Sequence, residues 1–393
     1  MSLDILKEKG TPLERQEFDW RDLVRAPVSK LNEDAFSRAR IILMNGVEAE
    51  AVRFQHSMAR MNKAMRLPLA RIRRVEHFQQ TLINWLTPAD QSPLETTIGF
   101  EQTAIEVTAH AAMHEPDPYQ AQVYRFGMLE DFDHLYRFSA LLDRLEGKDS
   151  NNLLQSYTDI RPGRPTELQH RAPEDDIREH YLKESAHFLT KLHALTILSA
   201  EHQARDYYAD IGPQFADPAA RLLYAEILAV EEQHVTQYEC LQDPSESWLE
   251  KWLLHEAAEV HNYHSCLLQE ENPRLKALWE RFTEYELGHL HFVMDLYREA
   301  AGEDPEALLP ATLPAPIQFE EHRAFIRGVL EKEVDLRASG TGFILHDQES
   351  PASSSALYRA RLNVSGSPSQ AVAAGYRWSP GTEIRQQALA FDT

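Results

Sequence analysis

Carboxylates occupy the faces of this chain's helices that ought to be apolar. Apolar residues recurring three and four apart predict four helices, over 180–208, 218–241, 247–269 and 274–300. In the first, Glu201 lies within the stripe of Ala194, Ile197, Leu198, Ala204 and Tyr208. In the second, Glu231 and His234 lie beside Ile227, Val235 and Tyr238. The third sets Glu256 and Glu259 among Trp252, Leu253, Val260 and Tyr263, and the fourth sets Glu286 and His289 among Phe282, Leu290 and Val293. Carboxylates turned into a dry core repel one another and lose their hydration. Protonation would relieve one or two of them. A pair of divalent cations would relieve all of them, and carboxylate with imidazole is a donor set that iron or manganese accepts. The bland reading, solvated charges on exposed faces, is opposed by the apolar flanks.

The chain also repeats itself. At an offset of 155 positions Glu76 falls on Glu231, Glu101 on Glu256 and His134 on His289, and ten further identities lie between Val75 and Leu141. Helix starts repeat in the same register. Ser92-x-x-Glu95 overlies Ser247-x-x-Glu250, and Asp117-Pro118 overlies Asn272-Pro273, each a capping signature. A duplicated four-helix unit is expected. The fold class is therefore all-α, with two tandem four-helix bundles, a C-terminal helix and an irregular arm. The expected divisions are an N-terminal segment 1–34, a degenerate unit 35–145, a turn-rich linker 146–176, an intact unit 177–309, and 310–393 as a helix within 318–337 followed by an extended arm.

Spacing selects the ligands. Glu201 to Glu231 and Glu256 to Glu286 are both 30 residues apart, so two hairpins with equal arms place all four carboxylates at one depth. That favours Glu256 as the helix-three ligand, with Glu259 one turn on as a fifth carboxylate. Glu184-x-x-His187 serves as an internal control. It lies 17 residues before Glu201, about 25 Å along a helix, and cannot join the same site. In the first unit the corresponding positions are Gly46, Glu76, Gln79, Glu101, Ala104, Asp131 and His134. One His is lost there, and Glu48 or Glu50 restores the first carboxylate only with a two- to four-residue indel. That unit is expected to hold no metal or one weakly, with Arg53, Arg73 or Arg74 substituting for a cation's charge. His255, His261 and His264 are expected on the surface or behind the ligands, and Tyr208, Tyr238 and Tyr263 as core hydroxyls bonded to carboxylates.

The order Glu, Glu-x-x-His, Glu, Glu-x-x-His resembles the ferritin-like superfamily of di-iron carboxylate proteins, nearest in ligand pattern to rubrerythrins and bacterioferritins. The likeness covers about a third of the chain, and two thirds with the first unit. It implies that Glu231 and Glu286 bridge two metals, that His234 and His289 cap one each, and that Glu201 and Glu256 are terminal. Glu259 resembles the additional helix-three carboxylate of rubrerythrins. One feature departs from them: a rubredoxin-type iron needs four Cys, and this chain has only Cys240 and Cys266. Electrons would then come from an external donor.

The formal charge of −22 over 393 residues disfavours nucleic acid and anionic membrane as partners. The absence of a long apolar run or a leader pattern predicts a cytoplasmic protein. The resemblance implies an oxidoreductase with two Fe, or alternatively Mn, that reacts with O₂ or H₂O₂ and in some cases a small-molecule substrate, in a chain able to form a homodimer. Two other readings stay open: an iron-binding or ferroxidase protein, and a non-enzymatic scaffold that keeps a structural metal pair.

Overall fold

The computed structural model describes residues 3–30 and 32–380. Eight long helices dominate it: α1 (Ala35–Met61), α2 (Arg66–Asn84), α3 (Pro93–His114), α4 (Pro118–Glu146), α5 (Phe188–Ile211), α6 (Pro218–Glu239), α7 (Trp248–Gln269) and α8 (Pro273–Ala301). The predicted starts are where the chain turns helical. Ser92 and Ser247 each accept from a backbone N–H three residues on while Glu95 and Glu250 reach back, forming two capping boxes. Asp117, Asp217 and Asn272 cap helices that begin with proline. Stops repeat too: α4 and α8 end on Gly147 and Gly302, both left-handed, where a Cβ would be strained. Helix α5 starts eight residues later than the spacing predicts. Tyr181 and Lys183 give their backbone N–H groups to Leu241 and Asp243 instead, and His187 becomes the cap.

Consecutive helices pair as α1/α2, α3/α4, α5/α6 and α7/α8, and α1, α3, α5 and α7 pack on one another between the outer partners. Leu43, Met44, Ala194 and Ile197, all nearly or fully buried, belong to the apolar cluster at this centre.

Two stretches differ from expectation. Polar residues in 146–176 suggested a free linker, yet the segment is seated along α4. Arg164 is fully buried with its guanidinium over the Phe126 ring, and Asp133 accepts from the Gly163 and Thr166 backbones. Turn-rich composition here serves close approach: a Cβ on Gly163 would lie 2.4 Å from the Leu129 carbonyl oxygen. The C-terminal region is not an extended arm. It holds α9 (Arg323–Glu333), a hairpin of β1 (Leu336–Ser339) and β2 (Gly342–Leu345), then α10 (Ser354–Leu362) and α11 (Pro368–Ala373). Its Ser- and Pro-rich stretches are helix starts, with Ser353 and Ser367 as caps. Residues 381–393 of the expected arm lie outside the described residues. No described helix is long and apolar enough to cross a membrane.

Candidate metal centres

The carboxylate faces meet in two places, and each place draws one hairpin from either half of the chain. In the first, α3 supplies Glu101, α4 Asp131 and His134, α5 Glu201, and α6 Glu231 and His234. All six side chains are at most 2% exposed, so no solvent shell offsets their charge. Glu101, Asp131, His134 and Glu231 offer ligand atoms within 4.8 Å of one another, and so do Asp131, Glu201, Glu231 and His234. Asp131 and Glu231 belong to both sets. His134 Nδ1 lies 3.0 Å from Glu231, and His234 Nδ1 lies 3.2 Å from Asp131 and 3.4 Å from Glu201. The i, i+3 pairs present carboxylate and imidazole side by side because that spacing shares a helix face.

Groups behind the ligands orient them. His234 Nε2 meets Glu130 at 2.8 Å, and His134 Nε2 meets Gln169 at 2.7 Å. Carboxylate and amide carbonyl are acceptors, so Nε2 of both rings carries a proton and Nδ1 is the atom turned toward the cluster, available as a ligand once it holds no proton of its own. The Gln169 amide is itself held by donating to the carbonyls of Glu130 and Arg164. Glu130 is bound by Arg171 at 3.0 Å and by Arg164 at 3.3 Å. Burial works to raise its pKa, but these cations and His234 outweigh it and hold the carboxyl well below the usual range. Tyr208 donates to Glu101 at 2.6 Å.

Electrostatics inside the cluster are unbalanced. Burial first, then the neighbouring carboxylates, push Glu101 and Glu201 well above the ordinary carboxylate range and also raise Asp131. Burial opposes protonation of His134, yet Glu231 and its neighbours raise it to about 10. Both Glu201 oxygens, one Asp131 oxygen and His134 Nδ1 have no hydrogen-bond partner. Buried polar atoms are rarely left so.

The second place gathers Glu48 from α1, Glu76 and Gln79 from α2, Glu256 and Glu259 from α7, and Glu286 and His289 from α8. Ligand atoms cluster as Glu76, Glu256 and His289, and as Glu256, Glu259 and Glu286. His289 Nδ1 lies 3.0 Å from Glu286, and its Nε2 meets Gln16 at 2.6 Å, as His134 meets Gln169. Tyr263 donates to Glu48, Trp252 to Glu256 at 2.6 Å, and Gln55 to Glu76. Burial, followed by mutual repulsion, raises Glu48, Glu256 and Glu259 well above the usual range. For Glu76 burial leads, repulsion from Glu286 adds to it, and the pKa is raised to about 8 against the pull of His289.

The seven residues selected from the sequence are therefore divided. Glu201, Glu231 and His234 join the first centre; Glu256, Glu259, Glu286 and His289 join the second. The physical reason lies in the connections. A ferritin-like order within one unit needs one long crossover, whereas only eight residues join α2 to α3 and α6 to α7. Eight residues reach at most about 29 Å fully extended. That leaves no slack to return along α2, itself about 28 Å long. Each hairpin meets its complement from the other half instead.

Two consequences correct the reading of the first half. Glu101, Asp131 and His134 belong with Glu201, Glu231 and His234 to one buried cluster that could hold metal, rather than standing apart as remnants. Among the described residues no Lys or Arg forms an ion pair with the second centre's carboxylates; Arg53 pairs with Glu50 and Asp206, and Arg73 acts on Glu76 only as a charge at longer range. Glu48, not Glu50, supplies the α1 carboxylate, because the α1–α2 loop is two residues shorter than the α5–α6 loop. Upstream of that loop the repeat runs at 153, relating Glu48 to Glu201 and Gln16 to Gln169, a signal an ungapped offset misses. Glu184 and His187 lie apart at the start of α5, and Cys240 and Cys266 join neither cluster. His255 and His261 are buried rather than on the surface. Comparison of the chain with protein-family models, curated proteins and solved structures finds no match.

Proposed function

We propose that the first centre holds two transition-metal ions, iron or manganese, and that the chain is a ferritin-like di-metal oxidoreductase that reduces O₂ or H₂O₂ with electrons from an external donor. The observation that carries this reading is the shared membership of Asp131 and Glu231 in two four-ligand sets, each completed by one terminal Glu and one His. The donors fit such ions. Four carboxylates balance two divalent cations, and the unpartnered Glu201 and Asp131 oxygens are buried acceptors with no donor. When bound, the ions would supply the redox chemistry toward O₂ or H₂O₂.

The protein's own part is positional. Glu101 with His134, and Glu201 with His234, would close the two ends of the site, while Asp131 and Glu231 span them. Tyr208 fixes the Glu101 carboxylate, and Glu130 and Gln169 hold the two imidazoles in the ligating tautomer. Burial of all six keeps bulk water and stray protons from the reacting space.

The test is elemental analysis of protein purified without chelator, followed by O₂ and H₂O₂ consumption with an added chemical reductant. His234→Ala and Glu231→Ala should lower the metal content by up to two ions per chain and abolish consumption. Full metal content in Glu231→Ala would sink the assignment. Metal present without consumption would favour the structural metal pair, a reading the near-complete burial of the ligands also accommodates.

A further inference from the structure

The two centres differ at one position, and that difference bears on how many cations the second can take. Gln79 stands 155 residues before His234. In the first centre His234 Nδ1 faces Asp131 and Glu201 at 3.2 and 3.4 Å. In the second, Gln79 Nε2 faces the corresponding Glu286 and Glu48, at 2.6 and 3.1 Å. An imidazole nitrogen there has a lone pair to give. An amide NH₂ has only hydrogens, and carboxylate oxygens can only accept, so the amide nitrogen is the atom that must face them. Its two N–H groups thus occupy the gap between Glu48 and Glu286 where a cation would sit.

The other half of the centre is not filled this way. Both Glu259 oxygens and one Glu256 oxygen are buried without a hydrogen-bond partner. They converge with Glu286, and Glu256 also converges with Glu76 and His289. The His289 ring is oriented as a ligand by Gln16, whose amide is locked by the Thr11 and Tyr285 carbonyls. Five carboxylates are enclosed here with no ion-paired Lys or Arg among the described residues.

We infer that the second centre is a mononuclear site. It takes one divalent cation on Glu76, Glu256 and His289, whose ligand atoms converge, with Glu286 beside His289 and Glu259 beside Glu256, while the Gln79 amide closes the second position. Three cations per chain follow if the first centre holds its pair. The inference stands on this centre's own residues and does not require the first to be occupied.

Mn²⁺ alone is the probe, read by electron paramagnetic resonance and elemental analysis on the full chain. A single bound Mn²⁺ gives the resolved hyperfine pattern of an isolated ion, whereas a carboxylate-bridged pair gives a coupled signal. One isolated Mn²⁺ per chain is expected in the wild type, and it should persist in Glu231→Ala, where any coupled signal disappears. Glu256→Ala, checked for native circular dichroism, should lose the isolated signal and keep the coupled one. Gln79→His should convert the isolated ion to a second coupled pair and add one ion per chain. The inference is overturned by two ions at this centre in Glu231→Ala protein, by none there, or by an isolated signal indifferent to Glu256→Ala. If Gln79→His does not fold, the count in Glu231→Ala still decides. A wild type that shows the isolated signal and no coupled one would refute the di-metal reading and leave this one intact.

Discussion

At the scale of single residues, the side chains behind the proposed ligands set how those ligands are turned. Glu130 is a positioning residue: it receives His234 Nε2 and is itself fixed by Arg164 and Arg171. Glu130→Gln keeps the shape and an acceptor but removes the charge that favours an electron-rich imidazole. Metal affinity at the first centre should fall by about 10- to 100-fold, measured by competition with a chelator. Stability should fall as well, by about 3 kcal/mol, because the buried Arg164 loses its counter-charge and Arg171 is left with Asp176 alone. A loss of stability with unchanged affinity would show that Glu130 serves the Arg pair alone. Nothing in the local sequence singles Glu130 out, since it sits beside Asp131 in a run of acids. Glu101, Asp131 and His134 were visible, but Glu101 to Asp131 is also 30 residues. The equal-arm criterion therefore admits three hairpins and cannot choose which two face each other.

At the scale of elements, helix ends were the most legible features and close approaches the least. Capping residues act through backbone groups one to three positions away, so local sequence suffices to place them. Close approaches depend on what arrives from elsewhere. On α8, a Cβ at Gly288 would fall 1.9 Å from the Thr11 carbonyl oxygen, where the N-terminal segment crosses the helix and delivers Gln16 to His289. Gly288→Ala should push that segment off α8 at a cost of about 1–3 kcal/mol. Urea unfolding would report the cost, and limited proteolysis would report new cleavage near residues 10–20. Unchanged stability and an intact N-terminus would mean that the segment contributes nothing to holding α8. A glycine within a helix reads from the sequence only as a weak point; the crossing strand that requires it is 277 positions away.

At the scale of the whole molecule, the halves are interleaved, which makes the chain one cooperative body around two centres. A tandem arrangement would let residues 177–309 fold alone and bind two metals as a monomer. The observed pairing puts α5/α6 and α7/α8 in different centres. The fragment 177–309 should accordingly bind metal only as a dimer, each copy lending one hairpin to each site. Size-exclusion chromatography with light scattering, combined with metal analysis, tests this. A monomer that carries two metals would show that the hairpins can close on each other within the unit. The dimer would have Glu, Glu-x-x-His, Glu, Glu-x-x-His at both sites, the pattern that the present chain divides between two unlike centres.

The sequence by itself determined the helices, their caps, the repeat and the unusual presence of carboxylates on buried faces, because each of these follows from periodicity or from contacts within a few residues. Of the first centre it selected Glu201, Glu231 and His234, and left Glu101, Asp131 and His134 in a unit expected to hold no metal or one weakly. Only the tertiary structure decided which hairpins share a centre. That choice depends on the reach of eight-residue connections and on the packing of four inner helices, and neither leaves a periodic trace. It is also what turns Gln79 from a missing histidine into a group that closes a position.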